Sequence, residues 1–167
     1  MQKIDNFGIY EGENMKIRKA SMDDIKKFIE VYKSAYRKLG KYSYKEKSSI
    51  KWYFRWLLKR DKNGVFLAEE GEKTIAFIAC DANWKSLIEN ESVGEIHEII
   101  VREECKRRGM GKKLMKIAEE YLRRKGHKKI ELWVGKENKE ARKFYEKLGY
   151  EVKDRYGEWI RMIKKLD

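Results

Sequence analysis

The sequence predicts an α/β fold of the α+β kind: a mixed, largely antiparallel sheet with helices on both faces. Three observations predict it. The middle of the chain runs strand, helix, strand: EIHEIIVR at 95–102, an apolar stripe from Met110 to Leu122, then KIELWV at 129–134. A strand–helix–strand unit closes as a parallel pair with a right-handed crossover. The candidate strands before and after it fall in hairpins, which supply antiparallel edges. Amphipathic stripes interrupt the strands throughout, so the helices must cover the sheet's faces.

Taken in order, residues 1–14 lack periodicity and precede a second methionine, Met15; they read as a tail or upstream extension, with one domain over 15–167. Residues 16–20 form a short strand. Ser21 then offers an oxygen to a first helical turn, and Asp23 and Asp24 suit its positive end. Ile25, Phe28, Ile29, Tyr32 and Tyr36 follow at helical spacing. Ile50, Tyr53, Phe54, Leu57 and Leu58 mark a second helix, which stops near Asn63 and Gly64. Residues 65–69 and 74–81 are strands joined through a glycine-containing turn at 70–73, and 83–92 is a polar loop with an apolar centre. The helix with Met110, Leu114, Ile117, Ala118, Tyr121 and Leu122 is stopped by Gly126. Ala141, Phe144, Tyr145 and Leu148 form the last stripe, stopped by Gly149, and 150–153 and 159–166 are closing strands.

The 167 residues suit one domain, and no apolar stretch is long enough to span a membrane. Two cysteines, Cys80 and Cys105, give neither a disulfide framework nor a CxxC zinc spacing, so no metal is expected and a reducing cytoplasm fits. Lys and Arg number 41 against 28 Asp and Glu, a net +13 that favours polyanionic partners such as nucleic acid or a phosphate-rich cofactor. Abundant Lys, Glu and Arg with one glutamine resembles the composition of heat-loving organisms, although the absence of proline does not.

The chemistry concentrates at the junction Lys106, Arg107, Arg108, Gly109, Met110, Gly111, Lys112. Two glycines permit a close turn. The helix that opens there presents unpaired N–H groups and a positive dipole end, where a pyrophosphate fits. Residues 106–129 hold eleven Lys or Arg against two Glu. The turn is neither a dinucleotide fingerprint, since Leu114 stands at the third glycine, nor a P-loop.

Residues 96–150 resemble the GNAT superfamily of acetyl-CoA-dependent N-acetyltransferases. The motif [Q/R]-x-x-G-x-[G/A] is matched by residues 106–111. The more specific N-x-x-A-x-x-[FLY]-Y-x-x-x-G-[FY] is matched by Asn138, Ala141, Phe144, Tyr145, Gly149 and Tyr150. The resemblance is close over about a third of the chain, and earlier residues match only in their order of elements.

The resemblance implies a GNAT-like sheet with a central, splayed parallel strand pair and acetyl-CoA lying between the two. Amides of residues 107–112 would hold its pyrophosphate, with Lys106 standing where the family has Gln or Arg. Backbone groups of Ile99, Ile100 and Val101 would pair with the pantetheine arm, and Asn138, Ala141 and Tyr145 would line the thiol end. An N–H near Ile100 or Val101 would face the oxyanion formed as an amine attacks. Tyr145 takes the family's general-acid position. Glu98 and Glu95 are the candidate bases, with a water chain as the alternative. Their parity differs, so a regular strand points them to opposite faces unless a bulge intervenes. His97 and Cys105 read as packing residues. Trp133 stands where ribosomal-protein acetyltransferases carry a glutamate, a departure from that subfamily.

These readings make the chain an N-acetyltransferase acting on a primary amine of a small molecule or protein. Tyr36, Tyr42, Tyr44, Trp52, Trp56 and Trp84 lie in the regions that form the acceptor side, where aromatic walls suit a cation. A homodimer is compatible with the resemblance. Two rival readings are a basic nucleic-acid-binding module, not favoured because no such signature is present, and a catalytically silent acetyl-CoA-binding domain.

Overall fold

The computed structural model describes residues 3–4, 10–11 and 14–167. The expected tail at 1–14 falls mostly outside the described residues; of it, β1 (Lys3–Ile4) and β2 (Tyr10–Glu11) pair antiparallel. The remaining strands are β3 (Met15–Lys19), β4 (Val65–Glu70), β5 (Lys73–Lys85), β6 (Ser92–Val101), β7 (Lys129–Gly135), β8 (Glu151–Tyr156) and β9 (Trp159–Lys165). The helices are α1 (Ile25–Ala35), α2 (Lys47–Arg60), α3 (Met110–Arg124) and α4 (Lys139–Lys147). The described strands form one sheet, ordered β1-β2-β3-β4-β5-β6-β7-β9-β8, with β6 and β7 parallel and the other neighbours antiparallel. Among the described residues no helix is long and apolar enough to cross a membrane.

Local chemistry explains the helices. Before α1, Ser21 and Asp24 form a reciprocal capping box, and Asp24 is held by Arg18 at 2.8 Å. α1 and α2 meet through Phe28 and Phe54, stacked with centroids 4.6 Å apart. With Ile50, Leu57, Leu67, Phe77 and Ile100 these build the core on one face of the sheet. α3 buries Met110, Leu114, Met115, Ile117, Ala118 and Leu122 on the other face, against Ile96, Ile130, Leu132, Val134 and Met162. Asn138 caps α4, its side chain accepting from the Ala141 amide at 3.2 Å.

The parallel pair is short. β6 and β7 register at Gly94 with Ile130, Glu95 with Glu131 and Ile96 with Leu132, and there the pairing ends. β7 continues against β9 to Gly135, while β6 continues against β5 to Val101. The strands therefore diverge, and the edge of residues 97–101 that faces β7 is left open.

The polar loop expected at 83–92 is shorter than that, occupying 86–91, with Trp84 inside β5 opposite Val93. A bulge between Asp81 and Trp84 carries the strand through this polar stretch. Trp84 then packs edge-on to His97, with centroids 4.9 Å apart, and receives the Arg60 guanidinium over its ring.

On the face of β7 and β9 away from α3 and α4 lies a buried ionic cluster. Arg161 bonds Glu131 at 2.6 Å and Asp154 at 2.7 Å, and pairs with Glu89 at 2.8 Å. Ser86 donates to Glu131 at 2.8 Å. Removing the cation strands the buried Glu131 carboxylate. Arg161→Met is therefore expected to cost about 3–5 kcal/mol, seen as a lower midpoint in denaturant unfolding. An unchanged midpoint would show that the cluster adds nothing.

Candidate active site

A cavity of about 920 Å³ opens where β6 and β7 diverge. Its lining includes Glu98, Ile99, Ile100 and Val101 from β6, Lys106, Arg107, Gly109, Met110, Gly111 and Lys112 at the mouth of α3, and Asn138, Ala141 and Tyr145 around α4. The structure thus gathers nearly all the sequence-derived site residues around one space. Two are placed elsewhere. Arg108 reaches away to Glu70 at 2.8 Å, and Glu95 is 3% exposed beneath the point of divergence, outside the lining.

The α3 mouth has the features of an anion cradle. Arg107 and Gly109 adopt positive φ, 64° and 82°, which turns the chain so that successive amides face one way. Among the described residues, none of the amides of 107–112 donates to a protein acceptor; the first helical bond there runs from Lys113 to Gly109. A Cβ built on Gly111 would lie 3.1 Å from the Phe144 ring, so the close approach of α3 and α4 requires a bare residue. The flanking cations are less free than their sequence suggests. Lys106 pairs with Glu103 at 2.9 Å and Arg107 lies 3.8 Å from Glu140, while Lys112 lines the cavity.

Glu98 stands at the other end. The Tyr36 hydroxyl, just past α1, donates to one of its oxygens at 2.7 Å, and the Tyr53 hydroxyl of α2 donates to the other at 3.1 Å. Burial pushes the Glu98 carboxyl up to about 7, while the two tyrosine hydrogen bonds hold it back from rising further.

A bulge does intervene between Glu95 and Glu98. Ala79 pairs with Glu98 but Cys80 pairs with Ile96, so His97 is an extra residue in β6. Gly94 and Ile96 face the α3 side, and so does Ile99, three positions later. Glu95 and Glu98 therefore share the α1–α2 face. Glu95 sits opposite Glu131, with one oxygen lacking a hydrogen-bond partner. Burial, then the Glu131 charge, push its pKa well above the usual carboxylate range. The His97 ring donates to Asp81 at 2.8 Å and lies between Trp56 and Trp84.

Tyr145 is 8% exposed, with its ring 5.3 Å from Phe144 and 5.9 Å from Tyr150. Its hydroxyl makes no hydrogen bond among the described residues, and burial followed by the Glu98 charge raises its pKa, so it stays protonated. The cavity thus holds a carboxyl that titrates near neutrality and a phenol that does not titrate in the working range.

Of the aromatic residues expected on the acceptor side, Tyr36, Tyr42 and Tyr44 line the cavity, whereas Trp52 is 57% exposed on α2 and Trp56 and Trp84 surround His97. Tyr42 crosses from the α1–α2 connection to the end of β7. Its oxygen accepts from the Glu137 amide at 2.9 Å, and its ring lies 5.4 Å from Trp159. Lys41 adds ion pairs to Glu137 and Glu158. Sequence reasoning placed Tyr53 in the helical core stripe; the signal to read was a hydroxyl within an otherwise apolar face. Trp133 and Trp159 also line the cavity. Cys105 lines it too, buried among the α3-side core. Among the described residues no group of His, Cys, Asp and Glu could hold a metal ion.

Comparison with known proteins agrees with this geometry. Residues 25–150 match the model of the acetyltransferase (GNAT) family. An uncharacterized N-acetyltransferase of Methanocaldococcus jannaschii is 47% identical over 150 residues, covering 90% of this chain and 66% of its own length. A crystal structure from Pyrococcus horikoshii OT3 superposes with a TM-score of 0.83 at 35% identity, covering 92% of this chain and 99% of that one. The PaiA N-acetyltransferase of Thermoplasma acidophilum, crystallised with coenzyme A, shares the fold at a TM-score of 0.76 and 24% identity, covering 90% of this chain and 98% of that one.

Proposed function

The chain belongs to the GNAT family of acetyl-CoA-dependent N-acetyltransferases, and from that premise we propose that it moves an acetyl group to a primary amine by direct attack, with Glu98 as base and Tyr145 as acid. The observation that carries the reading is the presence, in one cavity with an open helix mouth, of a carboxyl titrating near 7 and a phenol that stays protonated.

Bound acetyl-CoA supplies an acetyl thioester whose thiolate can depart. The amides of 107–112 and Lys112 suit its pyrophosphate. The open edge of 97–101, including Ile99, Ile100 and Val101, offers strand-like hydrogen bonds, and an N–H there suits the developing oxyanion. Asn138 and Ala141 close the wall beside Tyr145. Glu98 takes one proton from the incoming ammonium, Tyr145 donates its own to the leaving sulfur, and the second proton shed by the nitrogen as the amide forms restores the phenol. Glu95, buried and outside the cavity, is better suited to holding the strand pair than to proton transfer.

The acceptor end is walled by Tyr36, Tyr42, Tyr44, Tyr53 and Trp159, which suits a cationic primary amine of a small molecule or protein. Acetyl-CoA is expected to raise the melting temperature by several degrees when present well above its Kd, whereas an RNA oligomer is expected to leave it unchanged. A panel of amines scored by CoA release then identifies the acceptor. No stabilisation by acetyl-CoA together with stabilisation by RNA would replace this reading with the nucleic-acid one. Stabilisation by acetyl-CoA without turnover on any amine would leave a silent acetyl-CoA-binding domain.

A further inference from the structure

We propose that Tyr36 and Tyr53 are positioning residues for Glu98, holding both carboxylate oxygens toward the cavity while leaving the carboxylate free to gain and lose a proton in each turnover. The proposal rests on the reading of Glu98 as base.

The geometry is two-sided. Tyr36 donates to one oxygen at 2.7 Å and Tyr53 to the other at 3.1 Å, so the carboxylate plane is fixed from two separate helical elements. The tyrosines are themselves locked. The Tyr36 ring lies 4.6 Å from Tyr32, and Tyr53 is enclosed by Phe28, Tyr32, Tyr44 and Trp56 at 5.3–6.3 Å. Among the described residues neither hydroxyl has an acidic partner besides Glu98; Tyr53 also lies 3.4 Å from the His97 carbonyl.

Among the described residues, the titratable side chains that interact with Glu98 are phenols, uncharged at neutral pH. Tyr32 and Tyr36 approach from the α1 side, Tyr53 from α2 and Tyr145 from α4, and the Ile99 amide lies beside it on β6. Desolvation holds the phenols protonated, Tyr36 and Tyr53 well above the ordinary tyrosine value. Of the lysines lining the cavity, Lys41 pairs with Glu137 and Glu158, and Lys106 with Glu103. On the same strand, His97 is engaged with Asp81, which also binds Arg60.

This choice of partner has a chemical consequence. An arginine here would keep the carboxylate ionised far below neutrality and make it a weak base. A pocket without donors would leave it protonated and its rotamer loose. Two neutral donors stabilise the anion partway, and neither has to change charge when the carboxylate does.

The test uses the full chain and its Tyr36→Phe, Tyr53→Phe and doubly substituted forms. The Glu98 titration is followed by carbon-13 carboxyl NMR, the resonance being assigned with Glu98→Gln. Losing a donor to the ionised form raises the carboxyl pKa. Each single variant is expected to move the midpoint up by about one pH unit, and the double variant further. The acid limb of kcat/KM is expected to move by the same amount, with activity recovered at higher pH. A merely structural role would lower the melting temperature and leave the midpoint in place. If Glu98 titrates at the parent value in both single variants, the proposal is overturned. If the midpoint moves while the acid limb stays, the hold on Glu98 stands and its role as base falls. Because Tyr36 and Tyr53 lie on separate elements, unfolding of one variant leaves the other to decide.

Discussion

Glu98→Gln is expected to lower kcat/KM about 10²- to 10⁴-fold at pH 7, the usual range for loss of a general base. In the parent, kcat/KM should fall tenfold per pH unit below about 7, as the carboxyl protonates, and level off above it. The glutamine variant should lose that limb. Its stability should change in the opposite sense. The carboxyl titrates near 7 when folded against an ordinary value of 4.5. Between those values the folded state binds more protons, so parent stability falls as pH rises through the window. The penalty is complete above 7 and amounts to about 3 kcal/mol at most. Glutamine carries no charge to desolvate. The variant should therefore match the parent at about pH 4 and exceed it at about pH 8 in denaturant unfolding. Full activity with a retained acid limb would remove Glu98 from the mechanism.

Tyr145→Phe is expected to lower kcat by about 10²- to 10³-fold while calorimetry finds the Kd for coenzyme A unchanged. The ring stays between Phe144 and Tyr150, and the lost hydroxyl has no hydrogen bond among the described residues. No protein partner is orphaned, so the melting temperature should hold, which separates this loss from unfolding. Undiminished turnover would exclude the acid role.

The elements that sequence made legible are those with strong periodicity and punctuation. The stripe from Met110 to Leu122 ends at a glycine with φ of 90°, and the order of strand, helix and strand fixed the parallel pair. The glycine turn and the asparagine–tyrosine motif located the cavity, because both are local in sequence. What stayed hidden depends on partners far along the chain. Arg108 looked like a phosphate ligand until Glu70 was seen beside it. Tyr53 sits between Ile50 and Phe54 in an apolar stripe, and only the fold brings its hydroxyl to Glu98, 45 residues away. Arg161 and Glu131 look like ordinary surface charges on closing strands, yet they are 2% and 1% exposed, because the 86–91 loop covers them.

The extra residue in β6 has a consequence for how this protein can vary. Whether His97 stays bulged out or pairs decides which carboxylate and which isoleucine look toward the amine. Deleting it would close the bulge, leaving Ile96 opposite Cys80 and Glu98 opposite Ala79, so both flanks would keep their present sides. Drawing His97 into regular pairing with Ala79 would instead turn the acid under the α3 layer and bring an aliphatic group to the two phenols. A lineage can therefore lose catalysis at this strand without losing its shape.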